Sequence, residues 1–529
     1  MRTWSARVAA RPSFVAPGLM LMVLATLLGG FVRLYSAVSA DFPVNDGGLF
    51  YRMLLDLRAN NFLLPDFTTY NGGQIPFTYP PLAFYATLAL AQVTGWDLLA
   101  LVRVVPAVVS VLSVPAFCVL ARKLAPTAVS ATIASLAFAL LPTAFEWSTM
   151  GGGLTRAPAY VFALLTLSLL DRAWVRDDRR SAMLAGVGGA LTALSHPATA
   201  WFLAYSGALL LIARGRTRRG LMHACVAATV AALGVLPWAA TLIARHGAGP
   251  LLAAFQTGSG SWSSALQLFK FSVTDEPFVP VLAVAGLFGL LVCMAERRWL
   301  LPAWLLACCV LTSRSPATFA APALALLAGI ALDRLIVLGL AAIPSADTSR
   351  RAPLRTAQVS VACVLVAYAL MAAWYFEFNL AARVTLRPAD RSAFSWAADN
   401  LPRSAVVLVI AGRSAWDDSV AEWFPALAGR LSPLTTQGYE WVGGERYRQR
   451  LEDYADAQAC ANEDAECLDD WSAVAGVPFG YVYLPSGDSS ACCLPLRRSL
   501  RSSTAYALVY DGPGAVIFER RGGDGLSYG

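Results

Sequence analysis

The apolar residues of this chain arrive in runs of bilayer-crossing length, and that constrains the fold more than any motif does. Hydrophobic residues make up 57% of the 529 and charged residues 14%, against roughly 25% charged in a soluble domain. A helix needs about 20 apolar residues to cross the hydrocarbon core. By that criterion about eleven spans are expected, near residues 17–38, 101–121, 127–146, 157–174, 181–195, 197–213, 222–243, 278–295, 299–312, 316–338 and 357–380. The fold class is therefore mostly α, a polytopic transmembrane helical bundle.

Charge placement sets the expected sidedness. Basic clusters at Arg122-Lys123, Arg176 to Arg180, Arg214 to Arg219, Arg297-Arg298 and Arg350 to Arg355 separate the spans. With a cytoplasmic N-terminus all of them fall inside, as the positive-inside rule asks, provided Pro81 to Gly95 lies in the interface. That stretch opens with Pro80-Pro81 and is too short to span comfortably. Arg2, Arg7 and Arg11 precede the first apolar run, but no small-residue cleavage site follows a short core, so an uncleaved first helix is expected. The outer face then collects the loop 39–100, the turn 146–156, the His196 hairpin, the loop 244–277, the turn around Arg314 and everything after Ala381.

Two domains are expected: a transmembrane domain over residues 1–380, with 39–100 as its first outer loop, and an extracytoplasmic α/β domain over 381–529. In the tail, Pro, Gly and charge rise. Ala405 to Ile410 reads as a buried strand, Asp417 to Arg430 as a helix with acidic residues in its first turn. Tyr481 to Leu484, Tyr506 to Tyr510 and Ala515 to Phe518 read as strands, the last two joined by Asp511-Gly512-Pro513-Gly514. Cys460, Cys467, Cys492 and Cys493 suit disulfides in an oxidising compartment, with pairing left open.

The net charge of +7 is spread between the spans rather than gathered in a patch, which reads as topology, not nucleic-acid binding. There is no G-x-x-x-x-G-K-[ST] and no G-x-G-x-x-G between a strand and a helix, so a nucleotide-driven pump is not indicated.

The ionic groups of the outer face form the candidate site. Asp46 opens the first outer loop in Asn45-Asp46-Gly47-Gly48, and an acid at the rim of a helix bundle is costly to keep. Helix capping is its plainer use. Glu146 ends the third span, before Trp147 and the run Gly151-Gly152-Gly153, whose backbone can approach a ligand closely. Two carboxylates on separate loops can share a pocket, one taking a proton and one orienting the first or holding a metal. Arg156, Arg245, Lys270 and Arg314 offer cations to a lipid phosphate. Tyr79 stands in the aromatic Tyr79-Pro80-Pro81-Leu82, and His196-Pro197 caps a hairpin on the same face.

These pieces resemble the GT-C superfamily of membrane glycosyltransferases, which includes protein O-mannosyltransferases, lipid A aminoarabinose transferases and the catalytic subunit of oligosaccharyltransferase. The resemblance rests on the first span followed by Pro43-x-x-Asp46, then Tyr79-Pro80-Pro81-Leu82. Gly95-Trp96-Asp97 with Arg103, Ala121-Arg122-Lys123-Leu124, and Arg314-Ser315-Pro316 with Phe319-Ala320-Ala321-Pro322 and Leu327-Ala328-Gly329 add to it. It covers about residues 15–340. In the tail, Glu422 to Arg430 and Thr436-Gln437-Gly438-Tyr439-Glu440-Trp441 look like the outer domain of uncharacterised bacterial members.

The resemblance implies a polyprenyl-phosphate sugar donor, an envelope acceptor (glycan, lipid or protein) and inverting transfer at the outer face of a prokaryotic cytoplasmic membrane. By position, Asp46 takes the role of the family's loop carboxylate. The sequence departs from the commonest pattern in two places. Asn45 precedes Asp46 where many members carry a second acid, and Trp147 follows Glu146 where metal-dependent relatives place one. A divalent-metal requirement is therefore left open. The rival classes are a polytopic transporter or lipid flippase and a non-catalytic membrane assembly protein. Carriers bind cargo at the bilayer midplane, whereas the polar groups here gather on one face, and anchorage alone needs far fewer spans.

Overall fold

The computed structural model describes residues 15–257, 274–312, 315–341, 348–486 and 492–521. Each expected span is a helix: Val15–Ser39, Leu98–Leu124, Ala128–Leu140, Gly153–Arg176, Arg179–Ala193, Pro197–Arg214, Arg218–His246, Val281–Ala295, Leu300–Leu311, Pro316–Ala341 and Thr348–Val384. Among the described residues, six helices are long and apolar enough to cross a membrane by length and composition, while Ala128–Leu140, Val281–Ala295 and Leu300–Leu311 are shorter apolar helices. Leu82–Thr94 forms a 13-residue helix closed by Gly95 in the left-handed region, as the prolines before it and the glycine after it lead one to expect.

Local chemistry starts these helices where the apolar runs begin. Asp97 caps Leu98–Leu124 by accepting from Leu99 N at 2.9 Å and Ala100 N at 3.3 Å. Thr127 and Ser130 form a reciprocal capping box, satisfying backbone donors that the first turn leaves open. At the opposite end, Asp171 of Gly153–Arg176 is buried and meets Arg214 at 2.6 Å and Lys123 at 3.8 Å. Gly153 and Asp171 lie about 27 Å apart along one helix at 1.5 Å per residue. The basic connections therefore sit at the far end of the bundle from the first loop.

The tail carries a four-stranded sheet. Its strands are β3 (Val407–Val409), β4 (Tyr481–Pro485), β5 (Tyr506–Gly512) and β6 (Ala515–Arg520), in the order β3-β4-β6-β5. β1 (Phe67–Thr68) and β2 (Ile75–Pro76) make a separate antiparallel pair in the first loop. β3 runs parallel to β4, with Val407 opposite Tyr481, and the other pairings are antiparallel. The expected tail helix is Ser419–Ala428, capped by Asp418 through Ala421 N at 3.0 Å. Phe394, Phe424 and Tyr483 pack ring against ring beneath the sheet at 5.3–5.5 Å. Cys460 pairs with Cys467 and Cys492 with Cys493. The remaining six cysteines lie in helices, four of them buried.

The first loop and the tail share one core. Phe42, Phe50 and Tyr70 belong to the same buried cluster as Trp423, Tyr483 and Phe518. Trp423, fully buried, donates its indole N–H to Asn45 O at 2.8 Å and meets the Phe42 ring at 4.6 Å. Asn71 and Ser432 exchange two hydrogen bonds at 3.0 and 2.8 Å. The Tyr70 hydroxyl donates to Glu422 O at 2.6 Å. Residue 46 and the C-terminal domain thus lie on one face.

The Glu422 carboxylate is the polar centre of this contact. It accepts from Leu49 N at 3.4 Å and faces Gly47 N–H, at the start of helix Gly48–Ala59. A helix N-terminus favours an anion, yet burial prevails and, with the Asp46 charge, pushes the Glu422 carboxyl up to about 8. The native state then binds this proton more tightly than the unfolded chain, so the contribution is favourable at low pH. It is lost as pH rises from the ordinary carboxyl range through about 8. Glu422→Gln is expected to match wild type in melting temperature at pH 5 and exceed it by a few degrees at pH 8.5. Differential scanning fluorimetry across that range checks this, and a wild-type advantage at pH 8.5 would contradict it.

Candidate active site

Asp46 is placed by a tight crossing of two loops. Asn45 and Gly47 flank it with φ of 56° and 128°, and Asn45 N and Gly151 N bond to Val384 O and Val44 O, each at 3.0 Å. The side chain is buried at 6% exposure. Its Oδ1 accepts from Gly152 N at 2.7 Å, and its Oδ2 lies 3.5 Å from Arg156 Nη1.

The glycine run is the seat for this acid. A Cβ on Gly151 would stand 1.9 Å from Asp46 O, and one on Gly152 would stand 2.2 Å from Asp46 Oδ2. The close approach expected of Gly151-Gly152-Gly153 is made to a carboxylate of the chain itself. The capping use of Asp46 is displaced as well. Gly47 is the N-cap of the helix that follows and gives no side-chain bond, and the carboxylate facing that N-terminus belongs to Glu422.

Arg156 connects this seat to a cavity. Its guanidinium lies over the Trp147 ring at 5.1 Å, and it lines a hollow of about 500 Å³ together with Tyr79, His196, Thr199, Trp201 and Ser315. That volume falls within the usual range for a small-molecule site. Of the residues expected to bind substrate, Tyr79, Arg156 and His196 converge here. His196 is also the N-cap of Pro197–Arg214, with Nδ1 3.0 Å from Thr199 Oγ1. Arg245 is placed elsewhere, bonded to Leu64 O at 2.7 Å and Asp66 at 3.1 Å. Lys270 and Arg314 lie outside the described residues.

Glu146 opens the short helix Glu146–Thr149, half-buried, and is not among the residues lining the cavity. Burial first, then the charges of Asp275, Glu377 and Asp417, push its carboxyl up to about 8 against the pull of Arg156. The far end of that helix is tied by Thr149 Oγ1 donating to Glu377 at 2.8 Å. Glu377 is completely buried. A single acid inside the apolar run Trp374 to Asn379 was its sequence signal, and it went unread.

Two further wall residues come from the C-terminal domain. Glu440 and Trp441 line the cavity from the turn Tyr439–Trp441. Tyr79 donates its hydroxyl to Glu440 Oε1 at 3.3 Å and meets the Trp441 ring at 5.0 Å. Sequence reading singled out the segment but gave it no place in the site.

Among the described residues no three His, Cys, Asp or Glu side chains gather to hold a metal ion. Both Asp46 oxygens face donors of the chain itself, Gly152 N–H and Arg156.

No protein-family model matches the chain, and no curated protein matches it in sequence. Solved structures match it in shape. The oligosaccharyltransferase AglB of Archaeoglobus fulgidus, solved with an inhibitory peptide and a dolichol phosphate, superposes with a TM-score of 0.60 at 14% identity, over 88% of this chain and 69% of that one. ArnT of Cupriavidus metallidurans, solved with undecaprenyl phosphate, gives 0.58 at 18% identity, over 97% of this chain and 100% of that one. The chain shares the fold of these structures. Mycobacterial arabinofuranosyltransferase AftD matches at 0.57 and 17% identity, over 94% of this chain and 40% of that one. Among these structures, an Archaeoglobus oligosaccharyltransferase has also been solved with zinc and sulfate. The likeness expected from the motifs between residues 15 and 340 extends, as fold, over 88–97% of the chain.

The seat of Asp46 is the most easily tested part of the geometry. Gly152→Ala drives a methyl group into the Asp46 carboxylate, an overpacking that costs about 1–3 kcal/mol and moves the acid away from Arg156. A melting temperature lowered by several degrees is expected. A wild-type value would show that the seat tolerates the methyl.

Proposed function

We propose that this chain is an integral-membrane glycosyltransferase that moves a sugar from a polyprenyl-phosphate donor to an envelope acceptor. The observation that carries the reading is Arg156, which lines a cavity with aromatic and hydroxyl-bearing walls and is paired behind it with the buried Asp46, itself not among the lining residues. The solved structures of the same fold include two bound to polyprenyl-type phosphates, which supports a donor of that chemistry.

The donor's phosphate would face Arg156 and His196, with its sugar in the cavity and its polyprenyl tail toward lipid. As the sugar–oxygen bond breaks, charge grows on the departing phosphate, and a fixed guanidinium lowers the barrier at that point. Asp46 would take the acceptor's proton or orient the acceptor from the opposite side of the sugar, giving inversion. A base of this kind contributes roughly 10²–10⁴-fold. No nucleotide is consumed, because the donor already carries the activated bond. Glu146 would keep its proton near pH 7 and so leave Arg156 to Asp46 and the phosphate.

The face bearing Asp46 and the C-terminal domain would be extracytoplasmic and the basic end cytoplasmic, with the N-terminus inside. Reporter fusions after residue 430 and within the connection 215–217 check this, the first active only outside and the second only inside.

Transfer from radiolabelled polyprenyl-phosphate sugars tests the chemistry. Asp46→Asn is expected to lose about 10²–10⁴ in rate while the protein keeps its melting temperature. Unchanged turnover would remove Asp46 as base. The pH profile tests Glu146. With a carboxyl titrating at about 8, its charge appears as pH rises through that value and competes for Arg156, so the rate should fall on the alkaline side. Glu146→Gln is expected to abolish that alkaline limb. A variant profile identical to wild type would rule the coupling out.

A further inference from the structure

The cavity carries opposite charges on two different parts of the chain. Arg156 comes from helix Gly153–Arg176 of the bundle, beside Asp46. Glu440 comes from the C-terminal domain, some 280 residues later in the sequence, and is the one carboxylate among the described lining residues. Burying a carboxylate costs several kcal/mol unless donors meet it, so Glu440 at 2% exposure is held where donors reach it, Tyr79 among them.

Its support is built from several directions. Tyr79 donates to Oε1. The turn enters through Gly438 at φ 86°, where a Cβ would stand 2.8 Å from Ile75. Tyr439 lies under the Arg450 guanidinium at 3.4 Å, and Arg450 Nε donates to Thr435 O at 2.9 Å. A carboxylate fixed in this way accepts hydrogen bonds and donates none. Beside it, Trp441 and Tyr79 add aromatic wall to the cavity, and aromatic side chains supply apolar surface with a polar handle.

We propose that Glu440 reads the donor's sugar, accepting hydrogen bonds from its hydroxyl or ammonium groups, and that the site selects neutral or amino sugars against uronic acids. This deepens the glycosyltransferase reading and rests on it: Arg156 faces the phosphate and Glu440 faces the sugar. A uronic acid brings a second carboxylate up to one already buried, whereas a hydroxyl or ammonium group offers it a donor. A hydrogen bond to a charged partner of this kind corresponds to roughly tenfold or more in affinity.

The test is binding, read by quenching of intrinsic tryptophan fluorescence, since Trp147, Trp201 and Trp441 line the cavity. The full chain in nanodiscs is titrated with polyprenyl phosphate, polyprenyl-phosphate hexose, the corresponding amino sugar and the corresponding uronic acid. Wild type should bind the hexose or amino-sugar lipid about tenfold or more tighter than the uronic acid lipid. Glu440→Gln should narrow that gap to about threefold or less, with improved binding of the uronic acid lipid as the diagnostic change. A merely structural role for Glu440 would weaken all the lipids together. Melting temperature reports folding, and if Glu440→Gln fails to fold, Tyr79→Phe keeps the ring, removes the hydroxyl that orients Glu440, and should narrow the same gap. If wild type binds none of the four lipids, the donor reading fails and this inference with it. If they bind but the gap is absent, or persists unchanged in the folded variant, the sugar assignment is overturned while the donor reading stands.

Discussion

A carboxylate kept where water is scarce must be given donors, and the end of the bundle that carries the first loop is arranged around that requirement. Asp46 receives a backbone N–H from Gly152 and a guanidinium from Arg156. Each donor imposes a condition on the sequence. The N–H can reach the acid only if residues 151 and 152 lack side chains, and Arg156 can turn toward it because Trp147 supports the guanidinium from one side. The loop before Asp46 has to bend through Asn45 and Gly47, and that bend is held by Trp423 and Trp416 of the C-terminal domain.

The C-terminal domain is therefore part of the site as well as a cover for it. Its helix Ser419–Ala428 sets Glu422 against the start of helix Gly48–Ala59, and its turn at Tyr439–Trp441 supplies wall to the cavity. Glu422 lies close enough to Asp46 and Glu440 to feel the charge of each. Glu422 answers by holding its proton, which leaves Asp46 as the acid facing Arg156. Burial likewise pushes the Glu146 carboxyl up.

What could be read from the letters alone follows from how local the signal is. A span or a strand is written in a single run, so all eleven helices and the four tail strands lay where apolar length and alternation put them. Asp46, Tyr79, Arg156 and His196 were recognisable because each is an isolated polar or aromatic group next to an apolar run. Arg245 looked the same by that criterion, and only the fold shows that Asp66 and Leu64 O occupy it. Glu422, Glu440 and Trp441 could not be assigned from sequence, because their meaning comes from contacts with residues more than 350 positions away. Glu377 was hidden for a different reason: a single acid barely dents the hydropathy of a 37-residue helix.

The core shared by the first loop and the tail bears on how the protein is made. Phe42, Phe50 and Tyr70 leave the ribosome hundreds of residues before Trp423, Phe424 and Tyr483, which cover them. At ordinary synthesis rates of roughly 5–20 residues per second, the loop waits many seconds with its aromatic face open. Maturation is then a closing event that follows synthesis of the last helix. A chain halted before residue 419 would present a bundle already threaded through lipid, with a sticky, unfinished rim for quality-control proteases to find.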